Sequence, residues 1–193
     1  MPAYNNNIIE SFIKYYPVEW LNDGITKEAM DKFNIRFAPV ENKIIIPHYD
    51  VGGRLIGIRG RALNPEEIKM VGKYLPVQIE GKWYSHPLSL NLYGLNITKE
   101  NIKQSGMVYL FEAEKSVLQM EAFDLLNCSA AVCGSHLNKF ALSILIKECH
   151  PKEIVLCFDQ EEETKQSDKY FNHLYEICNK YKMYCNFSFI YDK

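Results

Sequence analysis

The stretch that decides the fold runs from residue 107 to residue 159 and reads MVYLFEAEKSVLQMEAFDLLNCSAAVCGSHLNKFALSILIKECHPKEIVLCFD. Short apolar runs at MVYLFEA, CSAAVCG and KEIVLCFD predict buried strands, and the segments EKSVLQMEAFDLL and HLNKFALSILIKEC between them predict helices. The pattern continues with SDKYFNHLYEICNKYK, a further helix, and CNFSFIYD, a further strand. Strands that alternate with helices of this length predict βαβ units and a mostly parallel sheet with right-handed crossovers.

Upstream of this stretch the pattern is mixed. Residues 5–33 predict short helices that are interrupted by Pro17, with Thr26 as the N-cap of the last one. The runs KIIIPHYD and RLIGIRGRAL flank a turn at Val51-Gly52-Gly53 and predict a β-hairpin. Residues 64–90 contain several prolines and little periodicity, so we expect either short strands or a segment that lies across a functional surface.

A polar stretch, NITKENIKQSG at residues 96–106, marks the expected boundary between two parts. We therefore predict an N-terminal basic α+β subdomain over residues 1–103 and an α/β domain over residues 104–193. Residues 41–103 carry nine Lys/Arg and six Asp/Glu, whereas residues 104–193 carry nine and thirteen. Such asymmetry suits a protein that holds a polyanion on one face and metal ions on another, although ordinary scatter would give a similar imbalance.

The composition excludes several classes of protein. The 193 residues carry a net charge of −2 and are 47% hydrophobic, which indicates a globular chain rather than a disordered or generally basic one. We find no signal-peptide pattern and no apolar run long enough to cross a bilayer, so we expect a soluble, cytoplasmic protein without a membrane partner. The six cysteines form no CxxC pair, and the five histidines show no ligand spacing, so we expect both sets to be structural or exposed.

Acidic residues follow two of the predicted strands. Glu112 ends the first strand, and Asp159 and Glu161 follow the third. Ligands of an open parallel sheet bind at the carboxyl ends of its strands, so neighbouring strands would bring these acids together around a hard cation such as Mg²⁺ or Mn²⁺. The alternative is that the run DQEEE is a solvated turn, whose acids are favoured by the dipole of the next helix.

Arginine is concentrated in one region: all four arginines lie between Arg36 and Arg61. The planar guanidinium binds phosphate through two parallel hydrogen bonds, which makes this clustering more specific than the net charge. Acids that can hold metal, next to an arginine-rich surface, are typical of phosphoryl or nucleotidyl transfer.

Several segments together resemble the catalytic core of DnaG-type DNA primases of bacteria and phages. FEAEKSVL is similar to the first motif of their TOPRIM domain, LCFDQEE looks like the second, and AAVCGSHLNKFALSILIK resembles the stretch between them. GITKEAMDKFNIRFAP, IIIPHYDVGGRLIGIRGRAL, KYL and SHPLSLNLYGLN are similar to upstream segments of the family, in the same order. The resemblance covers about residues 24 to 160. It implies an α/β fold with a TOPRIM-like parallel sheet flanked by helices, preceded by a small α+β basic subdomain.

The resemblance also implies a function: metal-dependent synthesis of RNA primers on single-stranded DNA from nucleotide triphosphates, with a replicative helicase as a further partner. The acids that it places in metal binding or acid–base chemistry are Glu112, Asp159 and Glu161. The cations that it places on the template or the incoming triphosphate are Arg54, Arg59, Arg61 and Lys73. The implied cofactor is Mg²⁺ or Mn²⁺.

The chain departs from the family pattern at several points. Ala113 replaces the glycine of the first motif, and the second motif reads Asp-Gln-Glu instead of Asp-Gly-Asp. The zinc-binding module and a further acidic motif of the family are absent from these 193 residues. These departures leave open a non-catalytic nucleic-acid-binding module, a TOPRIM nuclease, a fragment of a longer primase and a divergent protein of a phage or mobile element.

Overall fold

Short helices open the chain where the sequence predicts them. A computed structural model describes residues 1–123, 126–159 and 168–191. A 3-10 helix at Asn6–Ser11 is followed by helices α1 (Val18–Asn22) and α2 (Lys27–Lys32). Thr26 caps α2 by accepting a hydrogen bond from the backbone of Ala29, which confirms the predicted N-cap.

An antiparallel sheet follows, with the strand order β1-β2-β3-β4. Its strands are β1 (Arg36–Ala38), β2 (Lys43–Tyr49), β3 (Leu55–Ala62) and β4 (Tyr74–Pro76). Strands β2 and β3 form the predicted hairpin, whose turn uses a positive φ of 83° at Gly53. Between residues 64 and 90 the chain forms helix α3 (Pro65–Val71), strands β4, β5 (Gln78–Ile79) and β6 (Lys82–Trp83), and a 3-10 turn at Leu88–Leu90. Short strands are therefore present in this segment, which is one of the two alternatives expected from the sequence.

The polar stretch at residues 96–106, where the boundary is expected, lies in helix α4 (Leu95–Ser105) up to its C-cap at Gly106. Leu95, Thr98 and Ile102 are buried, and their spacing places them on one face of the helix. Polar residues occupy the positions between these three and dominate the composition of the stretch. The predicted division of the chain at residues 103 and 104 stays a prediction.

The second half contains the predicted alternation of strands and helices. The elements are β7 (Met107–Phe111), α5 (Glu114–Phe123), β8 (Ser129–Ala131), α6 (Lys139–Cys149), β9 (Glu153–Cys157), α7 (Lys169–Tyr181) and β10 (Asn186–Phe189). The strands form a parallel sheet in the order β10-β9-β7-β8, which confirms the predicted α/β class. Within the described residues, no helix is both long and apolar enough to span a bilayer.

Two buried clusters position the sheets. One packs helices α4, α6 and α7 on the parallel sheet. The other joins the two halves of the chain, because Trp20, Met30 and Ile46 pack with Val117 and Ala131. Helix α5 is therefore packed against the antiparallel part of the molecule, and apolar burial of this kind is the main force that holds such layers together.

Candidate active site and the adjoining cationic cluster

Two predicted acids lie at the carboxyl edge of the parallel sheet. Strands β7 and β9 are direct neighbours, with Phe111 paired to Cys157. Glu112 follows β7, Asp159 follows β9 by two residues, and both line one cavity of about 240 Å³. The expected convergence of these two strand ends is thus observed. Glu161 lies outside the described residues.

Tyr170, near the start of α7, forms another wall of this cavity. Its hydroxyl donates a hydrogen bond to the carbonyl of Phe158. Burial raises the pKa of Tyr170, and the negative charges of Glu112 and Asp159 raise it further. Both charges therefore act on the same small space. Carboxylate oxygens are hard donors of the kind that Mg²⁺ and Mn²⁺ prefer, so the donor set suits such an ion.

Two histidines, expected from the sequence to be structural or exposed, line the same cavity together with Lys169. The rings of His136 and His173 lie 5.3 Å apart, and His173 Nε2 donates to the carbonyl of Ser135 over 3.1 Å. His136 Nδ1 lies 2.8 Å from the Ser135 hydroxyl. Sequence spacing could not reveal this pair, because one member is on α7. The carboxyl end of β8 was an available signal for Ser135 and His136.

Three cations, Arg61, Lys73 and Lys115, form a second feature, which we call the cationic cluster. Arg61 is only 9% exposed, and its Nε has no hydrogen-bond partner. Burial lowers the pKa of Lys73, and the positive charges of Arg61 and Lys115 lower it further, whereas Asp159 raises it. The acidic cavity and the cationic cluster are therefore close enough to interact electrostatically.

Charge compensation inside this cluster is incomplete. Lys115 forms an ion pair of 2.6 Å with Asp23. In the part of the chain that the structure describes, no carboxylate lies within 4.0 Å of a side-chain nitrogen of Arg61 or Lys73. The guanidinium of Arg61 instead lies 5.8 Å from the ring of Trp20 and 5.7 Å from that of Tyr74. A buried cation without a counter-charge is costly, and a bound anion would relieve that cost.

The other two predicted cations have acidic partners. Arg59 Nη1 donates to Glu114 Oε1 over 2.6 Å, with only 15% of the Arg59 side chain exposed. Arg54 pairs with Asp50 at 2.7 Å on the tip of the hairpin, where 73% of its side chain is exposed. The four predicted cations therefore occupy three different environments.

Glu114, the first residue of α5, accepts from the two strands β2 and β3. His48 Nε2 donates over 3.0 Å to the same Oε1 that accepts from Arg59, and the side chains of Glu114 and His48 are 1% exposed. Burial alone would raise the pKa of Glu114, but the His48 hydrogen bond and the charges of His48 and Arg59 lower it to about 2. The carboxylate is therefore ionised and compensated within the protein.

Cys133 completes a group of three possible metal ligands with His48 and Glu114. One ligand atom from each lies within 4.8 Å of the others. Burial and the nearby Glu114 charge raise the pKa of the Cys133 thiol well above its usual range, which favours the neutral form over the thiolate that binds metal. Because Arg59 already neutralises Glu114, we interpret this group as a buried ion-pair network.

Comparison with solved structures defines the class of the fold. The chain superposes on the DnaG primase catalytic domain bound to ssDNA with a TM-score of 0.70 at 15% identity, covering 97% of this chain and 69% of that chain. The Escherichia coli primase catalytic core gives a TM-score of 0.68 at 16% identity, with 97% and 71% covered. The chain thus has the fold of a DnaG-type primase catalytic core.

The relatives in sequence include a prophage-derived protein and DNA primases. The chain is 34% identical over 186 residues to the SPbeta prophage-derived uncharacterized protein YorJ of Bacillus subtilis strain 168, covering 93% of this chain and 49% of YorJ. It is 27% identical over 156 residues to the DNA primase of Thermotoga maritima, covering 81% of this chain and 24% of that primase. The chain therefore spans about half of YorJ and about a quarter of the Thermotoga enzyme. No family model matches the chain.

Proposed function

We propose that this chain is a primase-like nucleotidyl-transfer core that makes RNA primers on single-stranded DNA with Mg²⁺ or Mn²⁺. The observation that carries the proposal is the pairing of two features: an acidic cavity at neighbouring strand ends and a cationic cluster beside it. Joining nucleotides requires both, because the reacting phosphates are polyanions and the metal that accompanies them binds carboxylates. The fold of the chain is consistent with this chemistry.

The residues divide between two tasks. Glu112 and Asp159 would hold the metal, with Glu161 as a further ligand suggested by the sequence motif. When bound, the metal stabilises negative charge on the transferring phosphate and the leaving group. Arg61 and Lys73 would bind the triphosphate or the template backbone, because their positive charges have no acidic partner among the described residues. At Arg61, which is 9% exposed, burial strengthens such a contact, because less water screens it.

The partners follow from the same charges. A primase catalytic domain of the same fold is described as bound to ssDNA, which supports single-stranded DNA as the template here. Nucleotide triphosphates are the implied second substrate, and a replicative helicase is an expected partner in the cytoplasm. The prophage origin of YorJ favours a role in phage or mobile-element replication.

The first experiment measures Mn²⁺ binding by calorimetry for the wild type, Asp159→Asn and Glu153→Gln. Glu153 is the matched control, because it lies at the opposite end of β9 and accepts a hydrogen bond from Ser188. We expect the wild type and Glu153→Gln to bind Mn²⁺ and Asp159→Asn to lose that binding. Equal binding by all three proteins would remove the metal site on which the proposal rests.

The second experiment separates three activities of the same protein. Metal-dependent incorporation of ribonucleotides on single-stranded DNA supports the primase proposal. Metal-dependent cleavage of DNA without triphosphates would instead favour a nuclease. DNA binding that depends on salt but not on Mg²⁺ or Mn²⁺ would favour a non-catalytic binding module.

A further inference from the structure

Besides the pair of Lys115 with Asp23 and the contact of His48 with Glu114, two ion pairs made by glutamates link helix α5 to the N-terminal part of the molecule. Glu114, at the start of the helix, accepts from Arg59 over 2.6 Å, and Glu121, two turns later, accepts from Lys32 over 2.6 Å. The two links differ in burial. The side chain of Glu114 is 1% exposed and that of Arg59 is 15% exposed, whereas 43% of the Lys32 side chain is exposed. The inner link is therefore the one that is shielded from water and salt.

The inner link also lies at the centre of the proposed site. Glu114 is two residues from Glu112, which lines the acidic cavity. Arg59 is two residues from Arg61 of the cationic cluster, and residues two apart on a strand point to the same face. The contact between Glu114 and Arg59 thus connects the segment that carries an acid of the cavity with the strand that carries a cation of the cluster.

We propose that Glu114 is a positioning residue: through Arg59 and His48 it holds the cationic cluster and the acidic cavity in the relative placement that lets metal and triphosphate bind together. This inference rests on the proposed function and deepens it. It assigns a task to an acid of the FEAEKS segment that neither binds metal nor contacts substrate. The expected signature is a loss of coupling between two ligands, with the binding of each alone retained.

The surroundings of Arg59 explain why its partner matters. The Arg59 guanidinium lies 5.0 Å from the ring of Tyr74, and that of Arg61 lies 5.7 Å from the same ring. Glu114 neutralises Arg59 at this point, so only Arg61 presents unbalanced positive charge there. Without the ion pair, the Arg59 guanidinium loses its fixed place at this ring, and Arg61, which shares the ring, loses the neighbour that sets its position.

The test uses Glu114→Gln and Arg59→Met, alone and together, with Lys32→Met as the matched control that breaks the outer link. For each protein, calorimetry gives the affinity for Mn²⁺ alone, for ATP alone, and for ATP in saturating Mn²⁺. In the wild type we expect Mn²⁺ to tighten ATP binding by about tenfold or more. We expect Glu114→Gln to remove most of that gain while Mn²⁺ affinity alone stays within about twofold of the wild type.

The cycle of variants distinguishes positioning from general destabilisation. Because both single variants break one link, the double variant should lose no more coupling than either single variant. Lys32→Met should keep the coupling even if its unfolding midpoint falls. If Glu114→Gln keeps the coupling, or if the losses of the two single variants add, the inference is overturned. Should Glu114→Gln fail to fold, Glu114→Asp keeps the charge but shortens the reach, and it should still reduce the coupling.

Two other outcomes are informative. A wild type that binds no Mn²⁺, or binds it equally well after Asp159→Asn, overturns the proposed function, and the inference falls with it. Zn²⁺ uptake by the wild type that is lost in Cys133→Ser would make the group of His48, Glu114 and Cys133 a metal site. That result would overturn positioning by an ion pair while leaving the proposed function intact.

Discussion

Two neighbouring regions of the molecule differ in whether a buried arginine has an acidic partner. Glu114, His48 and Arg59 form one of these regions, which we call the seam. In the seam, the Glu114 carboxylate lies 2.6 Å from Arg59 and balances its charge. In the cationic cluster, Arg61 is 9% exposed, and the described residues offer it no carboxylate within ion-pair distance. The two side chains come from the same face of β3. From this difference we propose that the first arginine has a structural role and that the second binds a ligand.

Removing the two arginines gives the sharpest test of this comparison. Arg59→Met leaves Glu114 buried beside His48 alone, and breaking a buried pair in this way costs about 3 kcal/mol or more. Arg61→Met removes a charge that has no acidic partner here, so we expect its stability to stay within about 1 kcal/mol of the wild type. Denaturant unfolding of both variants measures the difference. Equal losses in the two variants would contradict the division between structural and ligand-binding cations.

Binding of single-stranded DNA should show the opposite order of effects, with Arg61 more important than Arg59. Loss of a phosphate contact lowers the slope of log affinity against log salt by about 0.7 for a single strand. We expect Arg61→Met and Lys73→Met each to produce a change of this size. Arg59→Lys, which keeps the internal ion pair, should leave the slope nearly unchanged. A reduced slope in Arg59→Lys alone would show that the seam, rather than the cluster, faces the nucleic acid.

Acid sensitivity offers a further way to probe the seam. His86 lies beside His48, with 4.8 Å between the centres of the two rings. Burial lowers the pKa of His86 to about 3, and the neighbouring charges of His48 and Arg59 act in the same direction. The ordinary value is 6.5, so the unfolded chain binds a proton that the folded protein excludes between these two values. This contribution to stability is full above pH 6.5 and is lost progressively as the pH falls towards 3.

Replacing the titrating ring isolates this contribution. In His86→Gln, the free energy of unfolding should fall less steeply between pH 6.5 and pH 4 than in the wild type, because the variant has no imidazole to protonate in its unfolded state. Thermal unfolding across this range measures the slopes. Parallel curves for the two proteins would show that His86 takes up its proton without leaving the folded seam.

The seam and the cavity also differ in how well the sequence predicts them. The strand-end rule located Glu112 and Asp159, because apolar runs mark β7 and β9 clearly. Nothing local distinguishes Glu114 from the other acids of its segment. Its burial is decided by the approach of β2 and β3, which are more than 50 residues away in the chain.

The same contrast between local and distant signals applies to the fold. The parallel sheet, the hairpin and the cap of α2 follow from local periodicity and local hydrogen bonding. Helix α4 is not among the elements that the sequence predicts, because its three buried positions lie among polar residues and the sheet that buries them is assembled from later segments. His136 and His173 likewise meet only when α7 packs beside the end of β8.

The smallest expected effect belongs to Arg54, the one predicted cation on the hairpin tip. Its pair with Asp50 spans four residues, and 73% of the Arg54 side chain is exposed, so water and salt screen the attraction. Arg54→Ala should therefore cost less than about 1 kcal/mol of stability. Arg54→Ala should change the salt dependence of DNA binding only if the hairpin tip touches the DNA strand.

Measured beside Arg59→Met and Arg61→Met, Arg54→Ala completes a series of three arginines. The first is exposed and paired, the second is buried and paired, and the third is buried without an acidic partner among the described residues. If burial and pairing decide the role of each arginine, the loss of stability will be much larger for Arg59→Met than for the other two variants. The loss of DNA affinity will be largest for Arg61→Met. A DNA-binding loss as large for Arg54→Ala as for Arg61→Met would show instead that the strand follows the hairpin tip and that burial of the charge does not select the ligand-binding cation.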